Sequence, residues 1–128
     1  MSVSNQSEFN QPSLEQHLKN YFGYDSFRPG QKQIIQTALQ QKDLLIIMPT
    51  GGGKSLCFQM PALLKPGLTI VVSPLISLMQ DQVESLKDNG IAATFLNSTL
   101  DLTETRRRTT DIILGKIKLL YVAPERLL

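Results

Sequence analysis

LLIIMPTGGGKS, Leu44 to Ser55, is the stretch on which the fold turns. Leu44 to Met48 is short and continuously apolar, which predicts a strand buried on both faces. It runs straight into Pro49-Thr50-Gly51-Gly52-Gly53-Lys54-Ser55. A tight turn between a buried strand and a helix aligns successive backbone N–H groups with the helix N-terminus, and that combination holds a polyanion. Gly51, Gly52 and Gly53 let the backbone curl close to phosphates, Lys54 reaches the β- and γ-phosphates, and the Ser55 hydroxyl suits Mg²⁺. Met48 and Thr50 complete the set of candidate nucleotide contacts, with Lys54 and Ser55 closest to the chemistry. Met48 departs from the pattern G-x-x-x-x-G-K-[ST] at its first position. The alternative is a Gly-rich turn that binds nothing. Thr-Gly-x-Gly-Lys-Ser arises by chance in such a chain roughly once in several thousand at average residue frequencies, so nucleotide binding is the expectation.

Upstream, Ser13 and Gln16 form a capping-box pattern ahead of Leu14, Leu18, Tyr21 and Phe22 at helical spacing, with Gly23 as the stop. Pro29 opens a second helical pattern carrying Ile34, Ile35, Ala38 and Leu39 on one face and ending near Lys42. Downstream, a helix to about Leu64 precedes the β-branched strand Leu68 to Val72. Ser73-Pro74 caps a helix with the stripe Leu75, Leu78, Met79, Val83 and Leu86, ended by Asn89-Gly90. A strand at Ala92 to Leu96, a helix at 101–114 after a Ser98-Thr99 cap region, a strand at Lys118 to Val122 and a helix from Pro124 complete the series. Strands alternating with helices predict an α/β fold with a mostly parallel sheet covered on both faces.

The chain has 128 residues, 41% hydrophobic and 19% charged, as for about one globular domain. A net charge of +2 is too small to imply nucleic acid by itself. Cys57 is the one cysteine, which excludes an internal disulfide, and no Cys/His cluster suggests zinc. Residues 1–11 read as a flexible polar tail without the features of a secretory signal. No apolar run approaches membrane-spanning length, so a soluble cytoplasmic protein is expected, nucleoid-associated if bacterial. Arg106-Arg107-Arg108 is a dense basic run whose side chains diverge on a helix, more simply a solvated face than a ligand site. His17, with no acidic or metal partner in sight, reads as a surface residue. Cys57, Phe58 and Met60 are expected to pack against the sheet.

Four segments carry a resemblance: FGYDSFRPGQKQII at Phe22 to Ile35, MPTGGGKSLCFQMPALL at Met48 to Leu64, VVSPLISLMQDQV at Val71 to Val83, and YVAPERLL at Tyr121 to Leu128. In this order they resemble RecQ-type DNA helicases of superfamily 2, whose phosphate loop also carries methionine at its first position. The resemblance implies a RecA-like phosphate-loop NTPase lobe at 12–128. It further implies ATP and Mg²⁺ as ligands and 3′-to-5′ unwinding of single-stranded and partly duplex DNA, in recombination, repair and replication. It assigns adenine recognition to Gln31 at the base edge, with Tyr24 and Arg28 flanking the ring. A Gln amide can pair with adenine N6 and N7, although Arg28 and Gln31 would equally serve to cap the second helix. The family's single-strand track maps onto Ser73, Pro74, Ser77 and Gln80 and onto Ala123, Pro124, Glu125 and Arg126. Both segments sit where a buried strand ends, and helix starts at Pro74 and Pro124 would offer N–H groups to phosphates. Ser98-Thr99 carries the same ambiguity between cap and contact.

Hydrolysis needs a further acidic group to hold Mg²⁺ and orient water. Glu125, between Pro124 and Arg126, suits a helix start better. The family's Asp-Glu-Ala-His segment and second lobe would lie beyond Leu128. The expectation is a lobe incomplete at its C-terminal end, with an inactive nucleotide- and DNA-binding fragment as the alternative to a working helicase.

Overall fold

The computed structural model describes residues 12–40, 45–47 and 55–127, with backbone alone for 45–47 and 127. The expected tail at 1–11, the end of the second helix near Lys42, both ends of the first strand and the loop residues Met48, Thr50, Gly51, Gly52, Gly53 and Lys54 lie outside the described residues.

Ser13 opens α1 (Leu14–His17) with both halves of a capping box: its Oγ accepts from the Gln16 N–H, and its own N–H donates to Gln16 Oε1. The chain winds on through a wider π-type turn, Leu18–Phe22, and stops at Gly23, whose φ of 78° only glycine adopts without strain. The second helix, α2 (Gln31–Leu39), begins later than expected. Pro29 lies in the turn before it, because Gly30 takes φ 85° and the Gln31 Oε1 accepts from the Arg28 N–H at 2.8 Å.

Among the described residues four strands follow the expected alternation: β1 (Leu45–Ile47), β2 (Thr69–Val72), β3 (Ala93–Leu96) and β4 (Leu119–Val122). They form one sheet in the order β1-β2-β4-β3, and every described pairing is parallel. Side chains alternate across a strand, so each face has its own set. Val71, Ala93, Leu119 and Tyr121 point toward α3 (Ser55–Leu64) and α4 (Ile76–Asp88), where Phe58, Ala62, Met79, Val83 and Leu86 complete the main core. Val72, Leu120 and Val122 face the other way and pack with Ile112 of α5 (Leu102–Ile113). A second cluster of Leu18, Ile35 and Met60 fastens α1 and α2 to the outside of α3. Lys65 reinforces this layer: its Nζ donates to the Ala38 carbonyl in the last turn of α2, where a cation complements the helix dipole.

Several predicted helix starts are corrected. α4 starts at Ile76 rather than at Pro74, which sits in a bend, and Ser73 Oγ accepts from the Leu75 N–H at 3.2 Å instead of capping the helix proper. Leu75, placed on the buried stripe, is therefore outside the helix and 46% exposed. Asp101, not Ser98-Thr99, caps α5, with its carboxylate accepting from the Glu104 N–H at 2.8 Å. Pro124–Leu127, the last described residues, form a 3₁₀ turn. The end of α4 matches expectation: Asn89 caps it, Gly90 takes φ 79°, and the Ile91 and Gly90 N–H groups donate to the Leu86 and Lys87 carbonyls, a Schellman arrangement.

Candidate functional site

Ser55, the last residue of the predicted phosphate loop, opens α3 on the chain's return from β1. One wall of a cavity of about 290 Å³ is built from Ser55 and Gln59 of α3; Tyr24, Arg28 and Gln31 form another wall, and Ser85 and Asn89 of α4 close the third side. The three residues expected at adenine thus share a recess with the serine expected at the metal. Tyr24 is 60% exposed, so its ring face is open to a planar partner. Gln31 is half-buried, and its Oε1 engages the Arg28 N–H, the capping role the sequence left open.

Three polar side chains behind Ser55 form a chain of hydrogen bonds. Gln82 Nε2 donates to Ser55 Oγ at 2.8 Å, Tyr121 Oη donates to Gln82 Oε1 at 2.7 Å, and Gln59 Nε2 donates to Tyr121 Oη at 3.1 Å. Tyr121 is wholly buried in β4, and burial pushes its hydroxyl up to about 12, slightly offset by the bond from Gln59. Sequence reasoning passed over Gln59, Gln82 and Tyr121. The signal was a tyrosine inside the fully apolar run of β4, since a buried hydroxyl demands partners.

The candidate DNA residues gather at the carboxyl ends of neighbouring strands. Ser73, buried after β2, donates its N–H to the Val122 carbonyl, and Ala123, after β4, donates to the Leu96 carbonyl. Pro74, Pro124, Glu125 and Arg126 are exposed beside them. Ser77 is exposed on the first turn of α4, and Gln80 one turn on donates through Nε2 to Thr99 Oγ1 at 3.5 Å. Thr99 in turn leans on Asn97, whose Oδ1 accepts from the Thr99 N–H, so this loop is held by the buried Asn97 rather than by a cap of α5.

The basic run is not the uniformly solvated face expected of it. Glu104 bonds both Arg107 and Arg108, and these two guanidinium groups hold its carboxyl down at about 2. Arg108 lies 4.3 Å from the centre of the Phe95 ring and donates to the Phe95 carbonyl. His17 also departs from a surface reading: it is half-buried, stacked on Tyr21, with Nδ1 enclosed. Burial raises the Cys57 thiol, in line with an inert packing residue. Among the described residues no group of His, Cys, Asp or Glu is arranged to hold a metal, and no helix is long and apolar enough to cross a membrane.

A parallel sheet flanked by helices, with its polar candidates along the carboxyl edge, is the architecture of a RecA-like α/β lobe. Residues 28–128 match the DEAD/DEAH box helicase family, and the chain belongs to it. It is similar to the ATP-dependent DNA helicase RecQ of Haemophilus influenzae, 52% identical over 117 residues covering 91% of this chain and 19% of that protein. The RecQ of Bacillus subtilis is 50% identical over 111 residues, 86% of this chain and 19% of the relative. ATP-dependent DNA helicase Q1 of Mus musculus is 44% identical over 112 residues, 86% and 17%. The chain therefore spans about a fifth of the length of the curated relatives it matches.

Proposed function

We propose that residues 12–128 form the nucleotide-binding part of a RecQ-type ATP-dependent DNA helicase that acts on single-stranded and partly duplex DNA in the 3′-to-5′ direction, in DNA recombination, repair and replication. The observation that carries this reading is the recess in which Tyr24, Arg28 and Gln31 face Ser55 across about 290 Å³. Such a volume suits a base and sugar, with the phosphates continuing toward the loop Met48 to Ser55. In this reading Gln31 pairs with the adenine edge while Tyr24 and Arg28 flank the ring. Met48, Thr50, Gly51, Gly52 and Gly53 supply backbone contacts to the phosphates, and Lys54 neutralises them.

The donor set fits a nucleotide-borne Mg²⁺. Ser55 Oγ spends one lone pair on Gln82 and keeps the other, and a hard cation that retains waters and phosphate oxygens needs few protein ligands. When bound, the ion would polarise the β/γ bridge. Ser73, Pro74, Ser77 and Gln80, with Ala123, Pro124, Glu125 and Arg126, form a neutral-to-mixed edge suited to phosphate contacts without base readout. A cytoplasmic location, nucleoid-associated if the source is bacterial, belongs to the same reading.

For the isolated 128-residue polypeptide we propose nucleotide binding without turnover. The observation favouring it is that Glu125, the acidic residue nearest the edge, is exposed on a 3₁₀ turn with Pro124 and Arg126 at its sides. Calorimetry with ATP or ADP and Mg²⁺ tests the first reading: binding that Lys54→Ala weakens at least about 10-fold is expected, since a charged hydrogen bond is lost. Absence of binding by well-folded chain overturns it. DNA-stimulated ATP hydrolysis abolished by the same substitution overturns the second.

A further inference from the structure

The phosphate-loop serine is gripped from behind by a helix that sequence motifs connect only with DNA. Ser55 Oγ carries one O–H and two lone pairs, and which of these faces a ligand depends on what the others already touch. Gln82, in the middle of α4, presents its Nε2 to that oxygen at 2.8 Å. An amide can flip end for end, and the reverse orientation would offer Ser55 an acceptor instead of a donor. Two contacts tie the flip to the rest of the network: Gln82 cannot reverse unless Gln59 and Tyr121 reverse with it, and in either sense the Ser55 oxygen is held by Gln82 with a lone pair to spare. Tyr121 donates to Gln82 Oε1 at 2.7 Å, and Gln59 Nε2 faces the same oxygen at 3.3 Å. Tyr121 can donate there because its oxygen already accepts from Gln59 at 3.1 Å, and because burial keeps the hydroxyl protonated well beyond neutral pH. In the structure the bonds run from Gln59 through Tyr121 and Gln82 to Ser55, so the four groups are ordered together.

We propose that Gln82, locked by Tyr121 and Gln59, is a positioning residue that fixes the Ser55 hydroxyl with one lone pair occupied and the other presented to the Mg²⁺ ion of the bound nucleotide. The proposal rests on the phosphate-loop reading of Met48 to Ser55. Its distinctive consequence falls on the metal: Gln82 and Tyr121 are not among the residues lining the recess assigned to the base, and they reach the nucleotide through the Ser55 oxygen that meets Mg²⁺. Without the relay, Ser55 Oγ must be ordered at the moment of metal binding, and affinity falls by the cost of that ordering.

The test is the ratio of ADP affinities measured by calorimetry on the full chain with Mg²⁺ and with EDTA. Gln82→Met preserves length and helix propensity at a half-exposed position, and Tyr121→Phe removes only the oxygen that locks the amide. Each is expected to lower the ratio about 3- to 10-fold, the worth of one hydrogen bond. Should the buried Tyr121→Phe variant fail to fold, Gln82→Met decides alone. A ratio equal to or above that of the unsubstituted chain in folded Gln82→Met overturns the proposal. Lys54→Ala separates this from the reading beneath it: affinity unmoved by Lys54→Ala under both conditions sinks the phosphate loop itself, whereas an intact Lys54 effect with an unmoved ratio sinks only the relay.

Discussion

Glu104 is held by two arginines of its own helix. It sits in the first turn of α5, where the helix dipole favours an anion, and it accepts from Arg107 at 3.1 Å and from Arg108 at 2.8 Å. Its pKa falls from an ordinary 4.5 to about 2, so the folded chain prefers the ionised form more than the unfolded chain does. The stabilisation is complete above about pH 5 and disappears as pH falls toward 2. Glu104→Gln should therefore melt below the unsubstituted chain at pH 7 and at the same denaturant concentration near pH 2; a gap that persists undiminished at low pH would refute the assignment. The Arg106-Arg107-Arg108 run looked like a solvated face because sequence gives no view of what lies under a helix. Arg108 is drawn in by the Phe95 ring and the Phe95 carbonyl of β3, a partner more than ten positions away. Tyr121 was equally silent, although the apolar run around it announced a buried phenol in need of bonds.

At the level of elements the sequence was most readable where a local device terminates a helix. Ser13 with Gln16, and Asn89 with Gly90, each mark an end within a residue, because capping and left-handed backbone are decided by the residues themselves. Gly90 takes φ 79° with open space where a Cβ would stand, so Gly90→Ala meets no clash and isolates the backbone term. It should lose about 1 kcal/mol in urea unfolding. Equal stability of the two chains would mean that α4 can end by another route. Asp101→Ala should cost a similar ~1 kcal/mol through the lost cap of α5, and an unchanged unfolding midpoint would show that α5 does not depend on it. Proline was the less reliable guide. Pro29 and Pro74 both read as helix openers, yet Gly30 and the bend before Ile76 show that proline fixes its own φ and leaves the next residues free to delay the helix.

Across the whole molecule the alternation of strand and helix fixed the class, and parallel pairing followed because each crossover carries a helix. Strand order did not follow: β4 lies between β2 and β3, a choice made by packing of Tyr121 and Leu119 against α3 and α4 rather than by any local signal. The site was legible in its types and illegible in its neighbours, since the cavity is assembled from α2, α3 and α4. Among the described residues β1 and β3 are the outermost strands, and outer strands carry backbone groups that invite pairing. Sedimentation of the 128-residue chain at rising concentration should show a growing average mass, and a constant monomer mass would contradict that expectation. Cys57 gives the molecule an internal gauge. It is the only thiol in the chain, half-buried two positions past Ser55, and its burial disfavours the thiolate that alkylating reagents attack. The speed at which iodoacetamide consumes it thus counts how often the start of α3 breathes, a clock that nucleotide should slow and that needs no engineered label.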